Sequence, residues 1–251
     1  MDWLTHFIVS KAGILVCVLA VVFVLERMFP AVRLRNQLTR IFKNFSLAGL
    51  NIILSPFIVV PVTLLAAKWQ MPWRPEWLTG IVIDLLVLDC WIYFWHRANH
   101  AIPVLWRFHV VHHLDENLDV SSALRFHFGE VVLSSLVRAI IIFLLAVPLT
   151  SVVVFEVLVT VAAMFHHSNI RIPRWLEKPL SFFIVTPSLH FVHHHALRAD
   201  TDSNYATGLS IWDRIFGSRS VHARELDMQM GVEGLRDVSL VSLILRPFWL
   251  K

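Results

Sequence analysis

Long apolar runs, each close to the length needed to cross a bilayer, constrain this chain more than any other feature. Residues 7–25, 45–67 and 78–95 form three such runs, and a transmembrane helix needs about 20 mostly apolar residues. Two shorter runs, residues 131–148 and 151–165, meet at a Pro-Leu-Thr turn and predict a helical hairpin. We therefore expect an all-α integral membrane bundle of four to five membrane helices, with a partly inserted hairpin as the alternative.

The composition agrees with this class of protein. The chain of 251 residues is 57% hydrophobic and 16% charged, which is too apolar for a soluble domain of this size. No basic stretch is interleaved with exposed stacking aromatic residues, so we expect no nucleic-acid partner. We expect one membrane domain over residues 1–251. Its parts are N-terminal membrane helices (1–77), a histidine-rich catalytic region (78–217) and a cytoplasmic or interfacial tail (218–251).

Basic residues predict the orientation of the bundle. The link after the first apolar run carries five of them, against Lys68 and Arg74 in the second link, and an excess of basic residues marks the cytoplasmic side. The third run then ends on the cytoplasmic side, and the hairpin begins and ends at the same cytoplasmic surface. The compact size favours a bacterial inner membrane, with the endoplasmic reticulum as the alternative. The five basic residues are Arg27, Arg33, Arg35, Arg40 and Lys43.

Histidine is the anomaly of the composition, because twelve of the fourteen histidines lie between residues 96 and 195. Most of them form three clusters in which the rings are three or four residues apart, a spacing that places side chains on one face of a helix. The predicted topology brings all three clusters to one surface, as a cytoplasmic histidine-lined metal cap. The clusters are His96 and His100; His109, His112 and His113; and His190, His193 and His194.

The number of rings indicates the chemistry. Neutral imidazoles suit iron, copper, nickel and zinc, and eight to ten of them exceed what one ion can bind, so two ions are implied. A redox-active pair that activates dioxygen for attack on a lipid C–H bond fits best, because no side chain supplies such an oxidant. A histidine-rich metal-binding protein or transporter is one alternative. A membrane zinc enzyme without redox chemistry is another, although no His-Glu-x-x-His motif occurs.

Further polar residues are candidates for the same site. His127 and His167 lie at the ends of the predicted hairpin and are expected to be additional ligands. Asp89 lies seven residues before His96 on the same helical stripe, so we expect it to accept the N–H of a ligating imidazole, with pairing to Arg97 as the alternative.

Two more positions and one ion pair complete the candidates. Asn204 and Asp213 are expected to support the site by hydrogen bonds, although turn formation and helix initiation explain them equally well. An Arg138–Glu156 pair is expected across the hairpin. His166 and His195 are expected to lie outside the ligand set.

In order along the chain, an Asp, His-x-x-x-His and two His-x-x-His-His motifs resemble the fatty acid hydroxylase and sterol desaturase superfamily of membrane di-iron enzymes. The resemblance covers roughly residues 80–217. Further matches are Trp95-His96-Arg97, Arg125-Phe126-His127, His167-Ser168-Asn169, Asn204-Tyr205 and the segment 209–217.

This resemblance implies a hydroxylase or desaturase that uses O2 and two iron ions to oxidise a lipid taken from the bilayer. Two electrons must come from a partner, a cytochrome b-type protein or a ferredoxin with its reductase, because the chain has no haem, flavin or iron–sulfur motif. The motifs do not decide between hydroxylation and desaturation or between lipid classes. The implied iron ligands are His96, His100, His109, His112, His113, His127, His167, His190, His193 and His194.

Overall fold

The computed structural model describes residues 3–34, 37–72, 74–75 and 79–249, with side chains described from residue 11 onward except at Gln37. Within this part of the chain the regular structure is helical, with three isolated β-bridges and no longer strand. This confirms the all-α prediction. The helices are α1 (Trp3–Met28), α2 (Gln37–Leu54), α3 (Val59–Lys68), α4 (Ile81–Ala101), α5 (Pro103–His113), α6 (Phe128–Leu145), α7 (Leu149–His166), α8 (Arg174–Phe183), α9 (Pro187–His193), α10 (Arg198–Thr201), α11 (Ile211–Ile215) and α12 (Leu240–Trp249).

Fewer described helices than expected have the length and composition of a membrane span. The helices α6 and α7 have both. A third span is possible where α2 and α3 act as one, bent by 41° at the break around Pro56. The helix α4 covers most of the third predicted crossing, but it carries three charged residues, Asp84, Asp89 and Arg97. The helix α1 covers the first predicted crossing, part of which lies outside the described side chains.

The expected hairpin is present as α6 and α7, and it packs on α4. The aromatic rings of Trp91 and Trp95 on α4 are buried in a core with Ile142 of α6 and Phe155 of α7. The charged residues between the arms are paired as predicted, because Arg138 donates to Glu156 at 3.0 Å. Beside the turn between the arms, the hydroxyl of Ser151 donates to the Asp84 carboxylate at 2.6 Å, so this buried acid is satisfied.

Buried charges fix the segment between α5 and α6. The guanidinium of Arg40, on α2, pairs with Asp115 and Asp119. The side chain of Arg125 is fully buried and donates to the Val111 carbonyl at 2.8 Å. Because a buried charge without partners is strongly unfavourable, these pairs hold the segment in one conformation. They thereby hold the end of α5, which carries two histidines, against the membrane helices.

A further segment, residues 203–209, runs beside α4 and is anchored there by Asp89. One carboxylate oxygen of Asp89 accepts from the Leu209 N–H at 3.0 Å and from the Trp212 indole at 2.8 Å. Gly208 lies against the same carboxylate, and a Cβ added at Gly208 would be 2.4 Å from Asp89 Oδ1. Only glycine fits this approach without displacement.

We therefore predict that Gly208→Ala destabilises the protein by about 1–3 kcal/mol, as overpacked substitutions do. Thermal unfolding in detergent, followed by size-exclusion fluorescence, measures the effect. Gly49→Ala, in α2, is the matched control because nothing lies within 4 Å of its added Cβ, and its melting temperature should stay the same or rise. Equal melting temperatures for Gly208→Ala and the wild type would contradict the tight contact with Asp89.

Candidate metal centre

Nine buried histidines from four helices form two adjacent groups that could each hold a metal ion. The helices α4, α5 and α9 supply the residues of the three sequence clusters except His194, which directly follows α9, and His167 follows the end of α7. Within each group, one ring nitrogen of every member lies within 4.8 Å of the others. The five-histidine group is His96, His100, His109, His113 and His193, and the four-histidine group is His112, His167, His190 and His194.

The two His-x-x-His-His motifs divide between the groups in opposite ways. In α5, His109 and His113 belong to the five-histidine group and His112 to the other. In the second motif, His190 and His194 belong to the four-histidine group and His193 belongs to the five-histidine group. Side chains four residues apart share a helix face, whereas neighbours diverge by about 100°. Each motif therefore serves both groups.

The nitrogen–nitrogen distances fit ligands around a common ion. His112 Nε2 and His167 Nε2 are 3.1 Å apart, and His167 Nε2 and His190 Nε2 are 2.9 Å apart. Two nitrogens about 2.1 Å from one ion and at right angles would be about 3.0 Å apart. Lone pairs that face each other at this distance repel unless a cation or a proton lies between them, so the arrangement suits a metal.

The five-histidine group shows the same need for a partner. Nε2 of His96, His100 and His193 is buried and has no hydrogen-bond partner among the described residues. A buried polar atom without a partner is unfavourable. A cation at the centre of the group would satisfy all three nitrogens at once.

Backbone carbonyls set the tautomers of several rings. The carbonyls of Ser203 and Tyr205 accept from Nδ1 of His193 and His96, at 2.6 and 2.7 Å. The Ala163 carbonyl accepts from Nδ1 of His167 at 2.8 Å. Because a carbonyl only accepts, Nδ1 carries the hydrogen and Nε2 presents its lone pair to the centre.

Two carboxylates have the same role, and the sequence analysis assigned a function to neither. Glu130, in the first turn of α6, accepts from Nδ1 of His109 at 2.8 Å and from the Asn99 amide at 3.2 Å. Asp202 accepts from Nδ1 of His100 at 3.3 Å. In the sequence, only the position of Glu130, three residues after His127, indicated a role near the histidines.

Asp89 was expected to bond an imidazole, and this prediction is wrong. Its carboxylate accepts from the backbone of Leu209 and the side chain of Trp212 instead. It faces the 203–209 segment rather than the rings, so it supports the histidines through their carbonyl partners.

Asn204 and Asp213 also act through that segment. Asp213 accepts from the backbone N–H of Tyr205 and Ala206 at 2.8 and 3.1 Å. Asn204 has a positive φ of 51° and accepts from the Ser220 N–H at 2.9 Å. Neither contact involves an imidazole. Both residues fix the loop whose carbonyls hold His96 and His193.

The structure does not bring His127 into either group. Its Nδ1 accepts from the Gly129 N–H at 2.9 Å and caps α6, and its Nε2 donates to the Ile244 carbonyl at 2.9 Å. His166, which was expected outside the set, is also in neither group, although its ring centroid is 4.0 Å from that of His190.

Burial keeps several of the rings neutral. It lowers the pKa of His193 to about 3 and that of His167 to about 4. The pKa values of His113 and His194 are also lowered well below 6.5, first by burial and then by neighbouring histidines. Neutral imidazole is the form that binds a metal, so the centre is prepared for ions at neutral pH.

A cavity of about 290 Å³ lies against both groups. Rings of His96, His112 and His190 form its end at the histidines, and apolar side chains of α3, α6 and α7, such as Val59 and Val159, form walls further away. An apolar cavity that ends at a possible metal centre suits an apolar substrate.

The fold and site define a membrane helical protein with a paired histidine centre and an adjoining apolar cavity. The model of the Fatty acid hydroxylase family matches residues 81–218, more than half of the chain. The chain belongs to this family, as the sequence motifs suggested. No solved structure matches it significantly.

Its relatives include named lipid hydroxylases. An ornithine lipid hydroxylase of Rhizobium tropici is 28% identical over 178 residues, covering 70% of this chain and 53% of that protein. An alkylglycerol monooxygenase of Xenopus tropicalis is 30% identical, covering 62% of this chain and 32% of that protein. Cholesterol 25-hydroxylase of Mus musculus is 24% identical, covering 68% and 59%. The chain thus spans about half or less of the length of the first two.

The two groups predict the metal content of variants. We expect about two ions per chain in the purified protein and about one in His190→Ala, because this change removes one of four rings from its group. Elemental analysis by mass spectrometry measures the content. His222→Ala, whose exposed ring bonds Asp200, is the control and should keep both ions. His127→Ala should also keep both, and loss of an ion from it would restore His127 as a ligand.

The lowered pKa values predict acid sensitivity. These histidines stay neutral in the folded protein but bind protons near pH 6.5 when unfolded, so acidification below about 6.5 favours unfolding. Each such residue weakens folding by about 1.4 kcal/mol per pH unit between the two pKa values. Circular dichroism of chelator-treated protein should show the melting temperature falling steeply from pH 6.5 to 4. A flat profile over this range would contradict the burial of neutral rings.

Proposed function

We propose that this protein is a membrane-bound, oxygen-dependent di-iron lipid hydroxylase or desaturase. The observation that carries the proposal is the meeting of nine buried imidazoles in two groups beside a mainly apolar cavity. Membership of the Fatty acid hydroxylase family supports the same reaction. Two iron ions held by these nine histidines would supply the activation of dioxygen needed to break an unactivated C–H bond.

The residues of the chain prepare this reaction in three ways. The carbonyls of residues 203 and 205 and the carboxylates of Glu130 and Asp202 orient the rings, so the ligand set is rigid. The apolar walls of the cavity exclude water and direct an apolar chain to the centre. Glu130 also lines the cavity, and its second oxygen is buried without a hydrogen-bond partner in the described structure.

The stoichiometry requires a partner. Hydroxylation of R–H with O2 gives R–OH and water and consumes two electrons and two protons, whereas desaturation gives an alkene and two waters from the same reductant. We propose that a cytochrome b-type protein or a ferredoxin with its reductase supplies the electrons. We further propose that the centre faces the cytoplasm of a bacterial inner membrane. The lipid would come from the bilayer.

Lipid analysis under ¹⁸O2 tests this function. Membranes of a bacterial host that expresses the protein should contain a new lipid that carries one ¹⁸O atom after hydroxylation, or that lacks two hydrogens after desaturation. His112→Ala should abolish the product while the protein remains in the membrane, and His222→Ala should retain it. Purified protein should contain about two irons per chain. Stoichiometric zinc with no change in lipids that depends on oxygen and reductant would overturn the proposal in favour of a non-redox zinc protein.

A further inference from the structure

A cation lies in the wall of the substrate cavity, far from the histidines. Arg138, on α6, lines the same cavity as His96 and His190. Its side chain is only 12% exposed. Its Nε is buried and has no hydrogen-bond partner among the residues that the structure describes. An arginine in a candidate membrane span is unfavourable unless it is paired or has a function.

The pairing of Arg138 leaves an excess of positive charge. Glu156 of α7 accepts from Arg138 and also pairs with Lys11 of α1. Two cations therefore share one carboxylate, and the three groups together carry a net charge of +1. Of the three, only Arg138 lines the cavity. An anion in the cavity would neutralise this excess.

The helix α6 sets the distance between this cation and the metal centre. Glu130, which holds His109, and Arg138 lie eight residues apart on α6. At 1.5 Å per residue, their separation along the helix axis is about 12 Å. The hydroxyl-bearing residues Ser134 and Thr160 also line the cavity, so Arg138 is accompanied by other polar groups in its walls.

We propose that Arg138 binds the anionic group of an acidic lipid, a carboxylate or a phosphate, and thereby positions the hydrocarbon chain against the metal centre. This inference rests on the proposed function, and it specifies the substrate class. A guanidinium forms directional, charge-assisted hydrogen bonds with such oxyanions. The carbon that is oxidised is then selected by its distance from the acidic group, since that end of the lipid is fixed at Arg138, two turns along α6 from Glu130.

Binding of three single-chain probes tests the proposal without requiring turnover. The probes are tritiated palmitate, hexadecyl phosphate and hexadecanol, which share a sixteen-carbon chain and differ in the end group. They are titrated against purified, metal-loaded protein in nonionic detergent. At least one anion should bind about tenfold more tightly than the alcohol, the gain expected for a charge-assisted hydrogen bond. The comparison of palmitate with hexadecyl phosphate identifies the preferred anion.

Variants assign the preference to Arg138. Arg138→Met should abolish it, and it leaves Glu156 paired with Lys11. Lys11→Met removes the excess charge but leaves the guanidinium of Arg138 in the cavity wall, so it should weaken the preference without abolishing it. If Arg138→Met does not fold, Arg138→Lys keeps a cation beside Glu156 but lacks the Nε–H. It should bind the anions more weakly and the alcohol equally well.

Two results would overturn the proposal: equal affinity of the wild type for all three probes, or an unchanged anion preference in the Arg138 variants. Failure here is separate from failure of the proposed function. If the protein prefers anions but oxidises no lipid, the anion site at Arg138 is supported and the proposed enzymatic function fails. If the protein oxidises lipids without regard to their charge, the enzymatic function is supported and the anion site fails.

Discussion

The burial of nine imidazoles, six of them held by a hydrogen bond at Nδ1, is the interaction on which this structure depends. Alternate carbonyls of one segment, those of residues 203, 205 and 207, accept from His193, His96 and His166. Asp89 and Asp213 hold this segment through its N–H groups. The buried acids outside the histidine groups are therefore part of what orients the rings.

The same principle explains why two copies of one short motif build two different groups. In a helix, the first and third histidines of His-x-x-His-His lie about 40° apart, and the second lies about 60° from the first and about 100° from the third. The helices α5 and α9 present this pattern to the groups in opposite ways, so each contributes two rings to one group and one to the other. Mutation of one histidine in such an arrangement disturbs one group directly. It disturbs the second only through the shared helix.

The sequence predicted what depends on spacing within a helix and failed where tertiary partners decide. Nine of the ten candidate rings meet, and the Arg138–Glu156 pair forms as expected. Asp89 has the right position for an imidazole contact, but its carboxylate instead accepts from a segment that lies more than a hundred residues later in the chain. His127 has a ligand's position in the chain, yet the start of α6 uses its ring as a cap. The Asp89 outcome depends on a distant contact that no local pattern contains, whereas the cap at His127 is local but histidine is not a residue that predicts a cap.

The helix α6 carries both Glu130, which holds a histidine of the centre, and Arg138, the cation in the cavity wall. Glu130 near its start holds a ring of the five-histidine group, and Arg138 lies two turns further along the same rigid element. A helix does not change length when a ligand binds, so the separation between the centre and the cation is a fixed property of this chain. The walls between them are mostly apolar and offer few directional contacts to a hydrocarbon chain. Positional selectivity in such a cavity has to come from its polar end, because dispersion contacts alone discriminate weakly between neighbouring methylene groups.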